Sequence, residues 1–429
     1  MMSSRRLKLL FPLVVAPLAP MLIAPPSAQA VRPSQPVQPA PAGHRNLSLL
    51  YEVFSPDGTI SRRPGVADTA PTPAAPTATS VVTILNNGRP SNRLNIVFLG
   101  DGYTASQLGT YAQNVSSLLT SALLAVSPLN VYRSYLNAYR IDIASPVSGI
   151  SNDPVNGITR NTPLAMRFWC HGIDRLLCVD YNRALSYAAA APGRDEVIAV
   201  ANTTTYGGSG GAVTAVAGRN PAAGSIVSHE MGHTLGKLGD EYDTPYGQAI
   251  GVEPVYPNVS AYTAAQLTQA RLKWYRWLGV PTPDGGTGGT YEGANYFRLG
   301  YYRPSLNSLM RSLGRPFNTV GREAIVEAIY RKVRPIDAAT AVGSTQGRTS
   351  RVTVVPMRPT DHTLAVTWRL DGRIITAANN MTTLNLSTVA MTAGRHTLTA
   401  TVVDRTGMVR DEAFRTQYMT QTVSWPVNA

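Results

Sequence analysis

The chain has 429 residues, enough for two or three domains with a sizeable core. At 44 % hydrophobic and 15 % charged, it is excluded from the disordered class. Only Lys8, Lys237, Lys273 and Lys332 of its 38 basic residues are lysine, and the formal charge of +13 is scattered without a dense basic block, so no nucleic-acid partner is expected.

Arg5, Arg6 and Lys8 precede an apolar run from Leu9 to Ala24, and Ala28-Gln29-Ala30 is a small-x-small cleavage pattern. Residues 1–30 therefore read as a bacterial export signal. Pro12, Pro17 and Pro20 break the run, which is short for a membrane span, so no transmembrane anchor is expected. Ser4-Arg5-Arg6 leaves twin-arginine export open beside the general route. The expected location is secreted or periplasmic. Residues 31–80 read as a leader. It begins proline- and alanine-rich, forms a β-hairpin over 46–63 turned by Pro56-Asp57-Gly58, and ends in the linker Ala70-Pro71-Thr72-Pro73-Ala74-Ala75-Pro76.

Residues 81–340 form the expected main domain. Leu94 to Leu99 is a strand, and Gly100-Asp101-Gly102 turns it into a helix over 105–126 with Leu108, Val115, Leu118, Leu119 and Leu123 at helical spacing. That turn lacks the lysine and fuller glycine pattern of a phosphate loop. Val197 to Val200 is a buried strand. The stretch 206–216 is either a surface loop or an edge strand to which an extended peptide could add. Cys170 and Cys178 are expected to close a disulfide outside the cytoplasm; a free pair, or a metal role with His171, is the alternative. A helix over 266–278 places Trp274, Tyr275 and Trp277 in the core or a pocket wall. A glycine-rich loop follows at 285–289, then a helix over 322–333 with Ile325, Ile329 and Val333 on one face. From 349 the pattern alternates, with strands at 352–355, 363–370, 384–386, 396–403 and 421–425 and a hairpin turn at Asp371-Gly372. Residues 345–429 thus read as an immunoglobulin-like β-sandwich.

The chemistry lies in His229-Glu230-Met231-Gly232-His233. Histidines four apart share one helix face, so both imidazoles can reach one zinc ion, and Glu230 is placed to take a proton from water acidified there. Such a five-residue pattern arises by chance in roughly one chain in a hundred of this length, so a surface helix with two spare histidines is the bland alternative. The residues that follow argue against it. Gly236, three past the second histidine, is where the metzincin class turns towards its third ligand, and it can end the helix in the left-handed conformation. The metzincin offset falls on Gly239, which has no side chain to offer. His44 lies in the leader, His362 and His396 in the C-terminal region, and His171 is the remaining histidine. Asp240 is favoured as third ligand, with Glu241 and Glu292 as rivals.

Further motifs stand in a fixed order. They are Leu99-Gly100-Asp101-Gly102-Tyr103-Thr104, the His-Glu helix with Leu238-x-Asp240-Glu241-Tyr242, Tyr291-Glu292-Gly293-Ala294-Asn295-Tyr296, Tyr302-Arg303-Pro304-Ser305, Ser308-Leu309-Met310-Arg311 and Val320-Gly321-Arg322-Glu323-Ala324. In this series the chain resembles the bacterial IgA-peptidase family of secreted zinc metallopeptidases, over most of residues 81–335. Cysteines often found near the segments matching Leu309 and Gly321 are absent. The resemblance implies an α/β (α+β) metzincin-like zinc peptidase domain with His229, His233 and Asp240 as ligands, Glu230 as general base and Met310 in the turn beneath the metal. Tyr296, Tyr301 and Tyr302 are candidate oxyanion donors by proximity to Met310. The expected function is zinc-dependent endopeptidase action on a protein or peptide, without a fixed natural substrate. The alternatives are a non-catalytic surface or glycan-binding protein acting through the C-terminal sandwich, and zinc hydrolysis of a non-peptide amide.

Overall fold

A computed structural model of the chain describes residues 50–66 and 79–429. The expected export signal, the first part of the leader with His44, and the linker 70–76 lie outside the described residues. Among the described residues, no helix is long and apolar enough to cross a membrane.

The structure is mixed α/β with several sheets. It opens with an antiparallel hairpin, β1 (Leu50–Phe54) and β2 (Ile60–Pro64). As the sequence predicts, Pro56-Asp57-Gly58 makes the turn: the Asp57 carboxylate accepts from the Thr59 amide, and Gly58 sits at φ +85°, where a Cβ is disfavoured.

Six strands then form the central sheet: β3 (Thr79–Leu85), β4 (Leu94–Asp101), β5 (Leu136–Ile143), β6 (Glu196–Ala201), β7 (Gly208–Ser209) and β8 (Thr214–Ala217). Their order is β3-β5-β4-β6-β8-β7, with β5, β4, β6 and β8 parallel and β3 and β7 antiparallel at the edges. The side-chain period of two divides the core cleanly. Ile96, Phe98, Ile198, Val200 and Val216 face α1 (Leu108–Ser117), while Val97, Leu99, Val197, Ala199 and Ala215 face the opposite layer around Leu164, Met166 and Phe168 and α2 (Tyr181–Ala188). Because both faces are covered, β4 and β6 are apolar without alternation, as central parallel strands are. Asp101 ends β4 as a structural clamp: it accepts from the Thr162 hydroxyl at 2.7 Å and the Leu164 and Met166 amides at 2.9 Å, while burial pushes its pKa up to about 6. The helix expected over 105–126 changes pitch: after α1, a π turn at Leu118–Ala122 and a 3-10 turn at Leu123–Ala125 keep Leu118, Leu119 and Leu123 buried.

The motif helix is α3 (Ala223–Thr234), and it packs on the same face as α1 through Val227 and Met231. A small sheet follows, of order β10-β11-β9, with β9 (Tyr246–Gln248), β10 (Tyr291–Ala294) and β11 (Phe297–Arg303). The aromatic helix expected over 266–278 is two pieces, a correction with a packing cause. Helix α4 (Ala264–Ala270) stops at Arg271, which is left-handed at φ 52°, and a 3-10 turn at Lys273–Trp277 lets Trp274 and Trp277 both bury with Leu267 and Val320. Helix α5 (Thr319–Lys332) is capped by Asn318, whose side chain accepts from the Gly321 amide at 2.8 Å.

The C-terminal strands are β12 (Ile336–Ala339), β13 (Gln346–Gly347), β14 (Arg351–Pro356), β15 (Ala365–Leu370), β16 (Arg373–Ile374), β17 (Thr383–Asn385), β18 (Arg395–Val403) and β19 (Thr420–Asn428), with helix α6 (Glu412–Tyr418) before the last. They make two sheets, β12-β14-β17 and β13-β19-β18-β15-β16. The indoles of Trp368 and Trp425 stack at 5.8 Å in the core. Their apolar cluster is continuous with that of α5, and a polar knot joins the same two regions. Asp404 accepts from the Tyr330 hydroxyl at 2.6 Å, the Tyr132 hydroxyl at 3.0 Å, His362 Nε2 at 2.8 Å and the Thr406 amide at 2.7 Å.

Candidate metal centre

Helix α3 delivers its two histidines one turn apart. His229 is fully buried, and its Nδ1–H donates to the Leu309 carbonyl at 3.0 Å; the Nδ1–H of His233 donates to the Leu238 carbonyl at 2.7 Å. Those carbonyls fix ring orientation and tautomer. Both Nε2 atoms are thereby turned to one point, 3.1 Å apart.

The chain returns to this point through a tight helix end. The Gly236 amide donates to the Met231 carbonyl and the Leu238 amide to the Gly232 carbonyl. The left-handed residue here is Lys237, at φ 51°, and not Gly236 as expected; Gly236 is small because a Cβ there would lie 2.9 Å from the Gly232 carbonyl oxygen. The turn carries Asp240 inward. Its Oδ1 stands 3.1 Å from His233 Nε2 and 3.4 Å from His229 Nε2, and its Oδ2 accepts the Tyr296 hydroxyl at 2.5 Å.

Of the rival carboxylates, neither joins the cluster. Glu241 is fully buried in a polar network, accepting from Asn258 Nδ2 at 2.9 Å, the Ser308 hydroxyl at 2.8 Å and Asn318 Nδ2 at 2.9 Å. It ties the loop after α3 to the start of α5, and burial pushes its pKa up to about 7. Glu292 is exposed and accepts from the Gly300 amide. The tyrosines separate likewise: Tyr296 reaches Asp240, the Tyr301 hydroxyl donates to the Val252 carbonyl, and Tyr302 serves the sheet through its backbone. Tyr242, not singled out by sequence, has its hydroxyl 3.3 Å from a Glu52 oxygen beside the histidines.

Glu52 is the larger omission. It lies on β1, and its Oε1 is 3.2 Å from His229 Nε2 while its Oε2 is 3.9 Å from His233 Nε2. Donor atoms of Glu52, His229, His233 and Asp240 all lie within 4.8 Å of one another. Only the alternation that puts Glu52 and Phe54 on one strand face was readable in advance; a separation of 177 residues from His229 left no local signal.

Met310 lies buried under the helix, its sulfur against Gly232, where any Cβ would collide with it. Its carbonyl accepts the Glu241 amide at 2.8 Å, so one short loop touches His229 through Leu309, the helix through Met310 and the ligand loop through Glu241. Glu230 is buried against Gly210, and its Oε1 has no hydrogen-bond partner. Burial, reinforced by the Glu52 charge, pushes its pKa up to about 8. Cys170 and Cys178 form a disulfide, and His171 stacks on Tyr51 at 4.0 Å, away from the cluster.

The residues fit a divalent cation. Asp240 Oδ1 faces two imidazole nitrogens yet accepts no well-directed hydrogen bond, a buried lone pair waiting for a partner. Burial alone would lower the histidine pKa values. Charge from Asp240 instead raises His233 to about 9, and Glu52 and Asp240 hold His229 well above its ordinary value. Protons thus gather where a cation would replace them.

Two histidines and two carboxylates whose donor atoms converge, with Glu230 beside them on α3, are a donor set suited to a divalent metal. The chain belongs to the IgA Peptidase M64 family, whose model matches residues 82–285 and 282–329. No curated protein matches it. The chain is accordingly a peptidase of a metal-dependent family, acting on protein or peptide.

Proposed function

We propose that this protein is an exported zinc endopeptidase, with a metzincin-like domain over residues 81–340 and an immunoglobulin-like sandwich over 345–429. His229, His233 and Asp240 hold the metal, and Glu230 is the general base. The observation that carries this reading is that His229, His233 and Asp240 present donors to one point, with Glu52 also near, while Glu230, one residue from His229, keeps a buried Oε1 without a hydrogen-bond partner. Two nitrogens and one oxygen leave a tetrahedral cation one free position, as catalytic zinc sites do.

When bound, zinc supplies a Lewis acid that polarises the scissile carbonyl and acidifies water. Glu230 accepts the proton of the attacking water and returns it to the leaving nitrogen, so that one water is consumed per bond broken. Tyr296, whose hydroxyl already points at Asp240, is the donor best placed to hold the oxyanion. The Cys170–Cys178 disulfide supports export to an oxidising compartment.

The test is Glu230→Gln. We expect unchanged zinc stoichiometry and a loss in kcat/KM of about 10²–10⁴-fold on a peptide library read by mass spectrometry. Full activity in that variant would overturn the assignment of the base.

A further inference from the structure

The zinc site read above has three ligands and one open position, yet four donors converge on it. The fourth, Glu52, comes from the hairpin that precedes the peptidase domain. A cation held by four protein ligands is coordinatively closed, whereas hydrolysis needs a place for water and substrate. We propose that the β1–β2 hairpin holds the enzyme latent: Glu52 fills the water's position, and hydrolysis begins once the hairpin has left the site. This proposal rests on the peptidase reading of the same site.

The hairpin is seated as an occupant. Alternate residues of β1 face opposite ways. Val53 buries with Cys170, Ile173 and Leu176 beside the disulfide, while Phe54 buries with Ile60, Ile226 and Tyr242 and meets the His229 ring edge-on at 5.6 Å. Strand β1 lies near β7, the outer strand of the central sheet, whose free side is bridged by Leu176 at Gly208. Polar contacts pin it: the Tyr206 hydroxyl donates to the Ser55 carbonyl at 2.8 Å, the Leu313 amide to the Gly58 carbonyl at 2.9 Å, and Arg63 pairs with Asp174 at 2.6 Å. The Arg62 guanidinium lies 3.8 Å from the centre of the Tyr296 ring, over the proposed oxyanion donor. The chain's two cysteines bond to each other, so no disulfide ties the hairpin to the domain it covers.

The experiment uses the full chain with cobalt(II) in place of zinc, in wild type, in Glu52→Ala, and in a chain whose residues 70–76 are replaced by the recognition sequence of a site-specific protease, before and after cutting. The readouts are the visible cobalt spectrum, the affinity for acetohydroxamate and hydrolysis of a peptide library by the zinc forms. A tethered ligand competes at millimolar effective concentration, so Glu52→Ala and the cut should each shift the spectrum and raise hydroxamate affinity and hydrolysis by about tenfold or more. The cut chain guards against a folding defect in the point variant. Unchanged spectra and hydroxamate affinity would remove Glu52 from the metal. Equal hydrolysis by cut and uncut chains would overturn latency and leave the peptidase reading standing. Loss of metal on cutting would make Glu52 a permanent ligand and also overturn latency. Spectral shifts without hydrolysis by any form would sink the peptidase reading, and latency with it.

Discussion

Asp240 and Asp404 are both buried carboxylates beside histidine, and both are held below the usual carboxylate range by those partners despite burial. Their surroundings differ in one respect. Every lone pair of consequence on Asp404 is taken, by two tyrosine hydroxyls, an imidazole and a backbone amide. Asp240 keeps an oxygen without a proper donor, and so does Glu230 nearby. A satisfied buried carboxylate is a fastener; an unsatisfied one marks a place where something else must arrive.

The sharpest way to break that comparison is to remove each carboxylate in turn. Asp404→Ala strands His362 and two tyrosines at the seam between α5 and the C-terminal sheets, and should lower unfolding free energy by about 3–5 kcal/mol in urea titrations. Zinc should still raise the melting temperature of that variant. Asp240→Ala should do the reverse and abolish the metal-dependent increment, worth about 2.7 kcal/mol in the wild type at a hundredfold excess over Kd. If zinc protects Asp240→Ala fully, the cluster is not the metal site. Glu241, one residue on from Asp240, belongs with Asp404: Glu241→Gln turns an amide on donors already aimed at the carboxylate, and should cost about 1–3 kcal/mol of stability by the same titration.

The smallest effect is in pH. The hydrogen bond to Asp404, against some loss from burial and with help from Asp361, raises His362 to about 9 in the folded chain from 6.5. A raised histidine pKa stabilises fully below the unfolded value and is lost as pH rises, so this contribution should fade between 6.5 and about 9. The difference in stability between wild type and His362→Gln in chelator, followed over that range, should shrink towards zero; a constant difference would show that the Asp404 knot does not depend on the charge of His362.

The same contrast explains what was legible in the sequence. His229, Glu230 and His233 share a local helical pattern, while Asp240 was favoured over Glu241 and Glu292 only by its nearness to the helix, and the structure brings its carboxylate to the two histidines. Strands β4 and β6 of the central sheet were equally plain, because apolar runs such as Val197 to Ala199 need no partner to be recognised, whereas β3 and β5 were not read and 206–216 stayed open between loop and strand. Tertiary forces decided the rest. Two indoles that must both bury broke the helix at Arg271, and Lys237 took the left-handed corner that Gly236 could have held more cheaply. Glu52 and the Asp404 knot join residues far apart along the chain, and no periodicity encodes such meetings.

Gly232 carries a last consequence. Its missing side chain is the socket for the Met310 thioether, and the loop on the far side of that sulfur aims His229 and anchors Glu241. A single added methyl would therefore act as a wedge, levering the floor of the centre away from its ceiling, with overpacking of about 1–3 kcal/mol. In a saturation library, positions 232 and 310 should mutate only in concert, and their joint tolerance would chart how much slack the metal cradle permits.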